Sequence, residues 1–272
     1  MSALREAAFD VFASLHHDWD APQFFLPPTS VGISPDILEA RAMADQSGVA
    51  QHEFFRIAQS SPDLLRLWTS QEAVVTGPFS QMLLLLASRI KNVHSRAKFL
   101  EVIEGEHGNV RDGVAYHSHP WLLYRLCVSV DLDLAAVRPL QPTLKFLAAL
   151  ADSFEHMEVA LGVLGIGNER MLLSEYATVE RCFDACMPNA EYRAFLRANV
   201  DEDEMHSAII EAVVSTFSSP DAVQQYVEGA RRGVKARLVY YDELLKHWID
   251  RGLEPEWLRP MYPATATPGV VS

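Results

Sequence analysis

Apolar residues recur at three- and four-residue intervals along most of the chain, and no stretch shows the two-residue alternation of a half-buried strand. Pairs such as Ser61-Pro62 and Gly77-Pro78 separate the periodic segments, with a further potential break near Asn92. This pattern predicts about nine helices, at roughly 3–17, 35–58, 62–75, 77–109, 119–132, 141–157, 158–187, 189–217 and 220–250. The sequence therefore indicates an all-α bundle with short connections.

The chain contains no internal repeat and no long linker, so we expect one all-α domain over residues 1–252. Of its 272 residues, 49% are hydrophobic, which is enough to build a substantial core. The stretch 253–272 is rich in proline and small residues, and we expect it to be a partly disordered tail.

The charge balance bears on partners, because 36 acidic residues face 23 Lys and Arg and give a formal charge of −13. Nucleic acids and anionic membranes bind clustered basic residues, so neither is an expected partner. The N-terminal residues 1–17 mix charges with apolar positions, and no run approaches the length of a spanning helix. The composition predicts a soluble, cytoplasmic protein.

An acidic-x-x-His pair, Asp203 and His206, lies in the predicted helix 189–217. Side chains three and four positions apart share a helix face, so Asn199 lies on the same stripe as this pair. The neighbouring acidic residues are expected to point outward, namely Asp201, Glu202 and Glu204. Three polar groups on one stripe indicate a metal-binding face.

A second acidic-x-x-His pair, Glu104 and His107, lies upstream, but the apolar pattern favours a different carboxylate. Glu106 shares its stripe with Phe99 and Ile103 and therefore faces the core. Glu104 lies at the edge of that buried face, where a solvated surface position is the alternative. We expect Glu106 to be the ligand in this helix.

Glu169 is surrounded on its stripe by apolar residues, including Ile166, Leu172 and Leu173. A lone buried carboxylate needs a cation or a hydrogen-bond network, so a metal or a structural ion pair with an arginine would explain it. A neighbouring helix or a substrate could approach closely at the glycines of this segment, Gly162, Gly165 and Gly167.

Two histidines, His117 and His119, lie between the carboxylate-bearing helices. His119 precedes Pro120 in what reads as a helix start, which would place its imidazole near the end of the Glu106 helix. Either histidine could be a ligand. A set of carboxylates and imidazoles suits iron or manganese, and carboxylates that bridge metals suit the activation of dioxygen.

At these positions the chain resembles the haem-oxygenase-like di-metal oxidases and oxygenases, relatives of thiaminase-like and pyrroloquinoline-quinone-synthase-like all-α proteins. The matching segments are Glu106-His-Gly-Asn, Ser118-His-Pro-Trp-Leu-Leu, Gly165-Ile-Gly-Asn-Glu169 and Phe195 to His206. They keep the order and approximate spacing of the family's ligands over residues 95–215. The resemblance implies a haem-oxygenase-like helical bundle as the fold.

The resemblance also implies roles for individual residues. Glu106 and Glu169 would be bridging or chelating carboxylates, with His119, or alternatively His117, as the histidine of the first site. Asp203 and His206 would hold the second metal. The family normally has a histidine where this chain has Asn199, so the cofactor would be two Fe(II) ions or only one, with manganese as an alternative.

The function implied is that of a non-haem iron-dependent oxidoreductase, an O2-dependent oxygenase or oxidase in natural-product biosynthesis. Its substrate would be a small amino-acid-like or fatty-acid-like molecule, with an external electron donor and a homodimer as further expectations. Four arginines could hold a substrate carboxylate, although an ordinary ion pair on the helix surface is the favoured role for each: Arg111, Arg125, Arg170 and Arg181.

Two other functions stay open from the sequence. One is a metal-free enzyme of this fold, thiaminase-like or pyrroloquinoline-quinone-synthase-like. A thiaminase-like enzyme would need a nucleophile such as Cys182 or Cys186, which otherwise are expected to be small buried residues. A non-catalytic helical binding protein with a ferritin-like topology would use the pairs Glu104-x-x-His107 and Asp203-x-x-His206.

Overall fold

The computed structural model describes residues 24–28, 32–108, 110–111, 114–115, 118–217 and 219–251. The predicted helix over 3–17 and the predicted tail over 253–272 lie outside the described residues, as does His117. The expected domain boundary at residue 252 thus stays a prediction.

Helices form almost all of the described chain. They are α1 (Pro35–Asp45), α2 (Glu53–Ala58), α3 (Pro62–Arg89), α4 (Val93–His107), α5 (His119–Ser129), α6 (Gln141–Asp152), α7 (Met157–Leu164), α8 (Met171–Cys186), α9 (Tyr192–Val214) and α10 (Pro220–Asp250). Shorter elements are 3-10 turns at Val49–Gln51 and Ser153–Glu155, a π-helical segment at Gly165–Arg170, and the antiparallel pair β1 (Val110–Arg111) and β2 (Val114–Ala115).

Two predicted boundaries are wrong. The helix expected over 35–58 is divided at Gly48, whose positive φ of 79° ends the regular backbone between α1 and α2. The break expected at Gly77-Pro78 does not occur, because α3 continues through Pro78. Val75 and Phe79 are buried on one face across this point, so packing outweighs the cost of proline inside the helix.

The predicted split near Asn92 is confirmed, and a side-chain cap explains it. Asn92 Oδ1 accepts hydrogen bonds from the backbone N–H groups of His94 and Ser95, each at 3.0 Å. Helix α4 begins at the next residue and ends at His107, before Gly108, which has a φ of 71°. Within the described residues, one short antiparallel pair, β1–β2, lies between α4 and α5.

The helix predicted over 158–187 contains a change of helical register. A π-helical turn of residues 165–170 links α7 to α8 and adds a residue to the turn. Asn168 and Glu169, which are adjacent in sequence, are both buried there. The π segment therefore presents two polar side chains to the interior, where π turns frequently mark functional sites.

The close approach expected at the glycines of this segment is made by α10. A Cβ atom on Gly162 would overlap the backbone of Tyr226, and one on Gly167 would lie 2.6 Å from the Cα of Gly233. These contacts hold α10 directly against the segment that carries Glu169.

The buried apolar side chains of the described residues form one contiguous cluster, which runs from Ile37 in α1 to Trp248 in α10. Inside it lies a charged pair, in which Arg237 Nε donates to Glu175 Oε2 at 2.8 Å and Nη2 donates to Oε1 at 2.5 Å. None of the described helices is long and apolar enough to cross a membrane.

Candidate metal centre

Four buried residues from three elements converge in the bundle. Glu106 lies in α4, Glu169 in the π segment, and Asp203 and His206 in α9. One ligand atom from each side chain lies within 4.8 Å of the others, and none of the four is more than 4% exposed. The geometry is that of a compact set of oxygen and nitrogen donors.

His206 is the centre of this set, because three carboxylates surround its Nδ1 atom. Nδ1 lies 3.4 Å from Oε2 of Glu169, 3.8 Å from Oε1 of Glu106 and 3.9 Å from Oδ1 of Asp203. All three carboxylates are therefore within reach of an ion that His206 also touches.

Several of these atoms have no hydrogen-bond partner among the described residues: both carboxylate oxygens of Asp203, Oε1 of Glu169 and Nε2 of His206. Burial raises the pKa of Asp203 well above its usual value, and the charges of Glu169 and Glu106 raise it further. Burying several carboxylates together is costly unless a cation compensates them. The donor set fits iron or manganese, because both accept carboxylate and imidazole ligands.

His119 joins the cluster from the first turn of α5. The Ser118 hydroxyl caps that helix by accepting from the N–H of Trp121, and Pro120 occupies the first turn, as the sequence predicts. The imidazole is buried, with Nδ1 3.3 Å from Oε2 of Glu106 and Nε2 3.4 Å from Oε2 of Glu202.

The protonation of His119 follows from these contacts. Burial alone would lower the pKa of the imidazole, but the carboxylates of Glu106 and Glu202 outweigh it and raise the pKa to about 10. Without a metal, His119 is therefore a cation between two carboxylates.

Glu202 is a site residue that the sequence prediction placed on the outside of α9. Its Oε2 atom faces the Nε2 atoms of both imidazoles, at 3.4 Å from His119 and 3.9 Å from His206. The i,i+4 spacing of Glu202 and His206 was the signal for this contact. Its neighbours Asp201 and Glu204 are exposed, as predicted.

Asn199 lies on the buried stripe of α9 with Asp203 and His206, as the periodicity predicts. Its Nδ2 donates to the carbonyl oxygen of Phe195 at 2.7 Å, one turn earlier in the same helix. Asn199 also lines the cavity, together with Glu106 and Glu169 of the four-residue cluster.

The look-alike pair in α4 points away from the site. Glu104 and His107 are both exposed, and Nδ1 of His107 lies 2.9 Å from the carbonyl oxygen of Ile103. The preference for Glu106 over Glu104 in the interior is thus confirmed, because Glu106 is buried. This removes the ferritin-like arrangement of two paired motifs.

The candidate carboxylate-binding arginines are engaged elsewhere. Arg125 pairs with Glu191, Arg170 pairs with Asp45, and Nη2 of Arg181 donates to the hydroxyl of Thr178. The side chain of Arg111 lies outside the described residues. None of the three described arginines lines the cavity at the site.

Cys182 and Cys186 face α2, with their Sγ atoms 3.5 Å from the carbonyl oxygens of Phe55 and Ala58. Burial raises the pKa of the Cys182 thiol to about 11, and it also raises that of Cys186. A thiol held in this way is a poor nucleophile at neutral pH. The structure thus supports the reading of both as small core residues.

A small cavity of about 20 Å³ adjoins the cluster. Glu106, Glu169 and Asn199 form one part of its lining, and Glu72 of α3 and Tyr176 of α8 belong to another. Its remaining lining residues are Val75, Thr76, Phe79, Asn168 and Leu172. A small molecule in this cavity would contact both the candidate metal ligands and Glu72.

Glu72 was not among the residues singled out in the sequence, although the same stripe argument applies to it. Trp68 precedes it by four positions, and Val75 and Phe79 follow it by three and seven, so Glu72 is a lone carboxylate on an apolar face. It is 2% exposed.

Comparisons with solved structures identify the fold. A CADD-like protein of unknown function from Nostoc punctiforme superposes with a TM-score of 0.66 at 16% identity, over 80% of this chain and 96% of that one. A TenA homologue from Pseudomonas syringae pv. tomato gives a TM-score of 0.59 at 12% identity, over 80% and 98% of the two chains. The predicted haem-oxygenase-like all-α fold is confirmed.

Comparison with curated protein sequences finds no match. Residues 66–238 match the model of a haem-oxygenase-like protein family, which is described as iron-containing redox enzymes. That span includes Glu106, His119, Glu169, Asp203 and His206. With a family match over more than half of its length, the chain belongs to the haem-oxygenase-like family of iron-containing redox enzymes.

Proposed function

We propose that this protein is a non-haem iron enzyme that uses dioxygen to oxidise a small organic substrate. One observation carries the proposal: Glu106, Glu169, Asp203 and His206 converge in the interior beside a cavity, and the last three have donor atoms without a hydrogen-bond partner among the described residues. In a family of iron-containing redox enzymes, an iron ion is the compensating cation that this arrangement favours.

The four clustered residues would hold one ion. His119 lies next to them and offers a nitrogen to another ion, with Glu106 close to both imidazoles and Glu202 facing the opposite side of the His119 ring. Asn199 offers a neutral amide where the family normally has a histidine, and the amide is the weaker ligand. The proposal therefore includes two Fe(II) ions, or one where the second position is weak.

Iron bound to carboxylates and imidazoles supplies dioxygen activation and electron transfer. The chain supplies the surroundings. Glu106 and Glu169 line the cavity and so present their face of the cluster to a substrate, whereas Asp203 and His206 lie behind them. Phe79 and Leu172 form an apolar part of the cavity wall, which limits how much water enters the cavity with a bound molecule.

His119 adds a proton to this site. Because Glu106 and Glu202 hold the imidazole in its protonated form, a metal that takes His119 as a ligand must displace that proton. Oε2 of Glu202 would then accept a hydrogen bond from the Nε2–H of His119 that faces it, which fixes the orientation of the ring.

The substrate would be a small amino-acid-like or fatty-acid-like molecule. N-oxygenation, oxidative C–C cleavage and desaturation are the reactions in question, with a role in natural-product biosynthesis and an external electron donor. The small, partly enclosed cavity beside Glu106 and Glu169 supports a small molecule over a polymer.

Oxygen consumption tests the proposal. The protein is loaded anaerobically with Fe(II), exposed to buffer containing dioxygen, and screened with amines, amino acids and fatty acids by an oxygen electrode and mass spectrometry. We expect one compound class to accelerate oxygen uptake and yield an oxidised product. The Glu169→Gln variant should lose this response, whereas Glu104→Gln, which changes an exposed carboxylate of α4, should keep it.

The result that would overturn the proposal is wild-type protein that contains iron yet gives no substrate-dependent oxygen uptake and no oxidised product. Equal uptake by wild type and Glu169→Gln would also overturn it, because the reaction would then be one of free iron in solution.

A further inference from the structure

A second buried carboxylate lies in the lining of the cavity, apart from the metal cluster. Glu72 of α3 is 2% exposed, and its Oε2 atom has no hydrogen-bond partner among the described residues. Its other oxygen, Oε1, accepts a hydrogen bond from the hydroxyl of Tyr176 at 2.7 Å. Tyr176 also lines the cavity, so this bond fixes the carboxylate beside the space that a ligand would fill.

The charge around Glu72 is not balanced by the protein. Arg237 is the cation beside it, at 3.7 Å from Nη2 to Oε2, but Arg237 already makes two hydrogen bonds to Glu175. Two carboxylates thus share one guanidinium in the interior. An excess negative charge in such surroundings favours a cation, whether a proton or a charged group of a ligand.

A second acceptor lines the same cavity. Asn168 in the π segment is 4% exposed, and its Oδ1 atom has no hydrogen-bond partner among the described residues. An ammonium group has three N–H donors and no acceptor, so it suits a carboxylate, an amide oxygen and a hydroxyl such as that of Thr76. A substrate carboxylate would meet no cationic side chain here, because none of the described lining residues is Lys, Arg or His.

We propose that Glu72 and Asn168 form the subsite for a cationic amine, so that the substrate of this enzyme is a small aliphatic amine or amino compound. The ammonium group lies against Oε2 of Glu72, and the carbon chain extends along Val75 and Phe79 toward Glu106 and Glu169. Tyr176 is a positioning residue that holds Glu72 in place. The inference rests on the proposed function for the identity of the bound amine as a substrate, but binding itself does not require iron.

The apolar residues of the cavity set the form of the molecule. Val75, Phe79 and Leu172 offer carbon surface between the two polar regions, so an aliphatic stem fits between the amine and the reacting end. A fatty acid could meet a positive charge for its carboxylate only at the metal itself, since the lining offers no cationic side chain. The cavity therefore favours the amine over the fatty acid.

Calorimetry with matched probes tests the subsite. n-Butylamine, n-butanol and butyrate have the same carbon chain and differ in the charge of the head group. Each is titrated at pH 7.5 into metal-free wild-type protein and into the variants Glu72→Gln, Asp203→Asn and Glu104→Gln, with circular dichroism as the check on folding.

We expect n-butylamine to bind wild type more tightly than n-butanol or butyrate. Glu72→Gln should weaken amine binding about tenfold or more, since it removes one partner of a buried charge-assisted hydrogen bond. Asp203→Asn and Glu104→Gln should bind the amine as wild type does. Asp203→Asn separates the subsite from the metal cluster, whose carboxylates also attract cations.

Amine binding that is lost in Asp203→Asn and kept in Glu72→Gln would overturn the proposal, because the amine would then occupy the metal cluster. If Glu72→Gln does not fold, the wild-type comparison alone decides, and n-butylamine that binds no more tightly than n-butanol overturns it. Iron loading and oxygen uptake are measured separately, so a failure of the amine subsite is distinguishable from a failure of the iron enzyme.

Discussion

The Oε2 atom of Glu169 lies 3.4 Å from Nδ1 of His206, a contact between the π-helical segment and α9 across 37 positions of sequence. Neither residue is exposed, so the contact is made inside the bundle. The backbone around it is held by α10, which packs directly on Gly162 and Gly167 at either end of the turn that leads to Glu169. The position of the carboxylate is therefore set by helix packing on one side and by the imidazole on the other.

Gly105 in α4 should be essential for the shape of the metal site. A Cβ atom there would lie 2.5 Å from Nε2 of His206 and 2.8 Å from Oε2 of Glu202, so Gly105→Ala must displace one of them. We expect the variant to fold and to bind Fe(II) about 10- to 100-fold more weakly, as measured by anaerobic titration.

The matched control is Gly77→Ala in α3, where a Cβ atom would meet nothing within 4 Å. It should leave iron affinity unchanged and raise the free energy of unfolding by about 0.5–1 kcal/mol, the usual gain for alanine inside a helix. If Gly105→Ala binds Fe(II) as tightly as Gly77→Ala does, the described position of His206 is wrong.

Glu202→Gln should weaken metal binding without abolishing it. The substitution keeps the size of the side chain but removes the negative charge that faces Nε2 of His119 and of His206. Loss of such a supporting carboxylate typically costs about 10- to 100-fold in metal affinity. Glu204→Gln, an exposed change two positions later in α9, should have no effect on the same titration.

Removing either partner of the buried pair Arg237–Glu175 should strongly lower the free energy of unfolding. Arg237→Met leaves Glu175 buried without its guanidinium, which we expect to cost about 3–5 kcal/mol in denaturant unfolding. Arg232→Met, which breaks an exposed pair with Glu228 in the same helix, should cost at most about 0.5 kcal/mol. Equal losses in the two variants would contradict the burial of the first pair.

Amine binding at Glu72 should strengthen as the pH rises through the raised pKa of its carboxyl group. Burial raises the pKa of Glu72, an effect that Arg237 opposes and the charge of Glu175 reinforces. Below that pKa the carboxyl group is neutral and offers an ammonium ion no counter-charge, whereas an alkylamine itself stays protonated up to about pH 10. The affinity therefore increases as Glu72 loses its proton.

Arg237 and Tyr176, which contact Glu72, do not produce this change. Glu175 holds the pKa of Arg237 well above its usual value against the effect of burial, and burial raises that of Tyr176, so both keep their charge from pH 5 to 8. Glu106 and Glu169 face the cavity from the metal cluster. Calorimetry on Glu72→Gln isolates the contribution of Glu72, because in that variant the rise of n-butylamine affinity with pH should disappear.

Much of the site follows from helical periodicity. Asn199, Asp203 and His206 share a stripe, and Glu106 lies among buried apolar neighbours, so the pattern placed these side chains on the interior of their helices. The burial of Glu169 follows by the same argument. These predictions hold because a 3.6-residue repeat fixes which positions of a helix share a face.

What the pattern could not supply is the relation between helices. Glu202 lies beside the buried stripe, and its contact with His119 depends on how α5 approaches α9. The π turn at Gly165–Arg170 shifts the register of its helix, which no local periodicity indicates. Pro78 continues α3 only because apolar residues on both sides of it pack into the same core.

Iron counting after anaerobic reconstitution tests the central claim most directly. Metal-free wild type, Asp203→Ala and Glu204→Ala are incubated with excess Fe(II), desalted without oxygen, and analysed for iron per chain by atomic emission. The account predicts at least one tightly held iron in wild type and in Glu204→Ala, and almost none in Asp203→Ala, because Asp203 belongs to the buried cluster and Glu204 is exposed. Wild-type protein that retains no iron, or Asp203→Ala that retains as much as wild type, would contradict it.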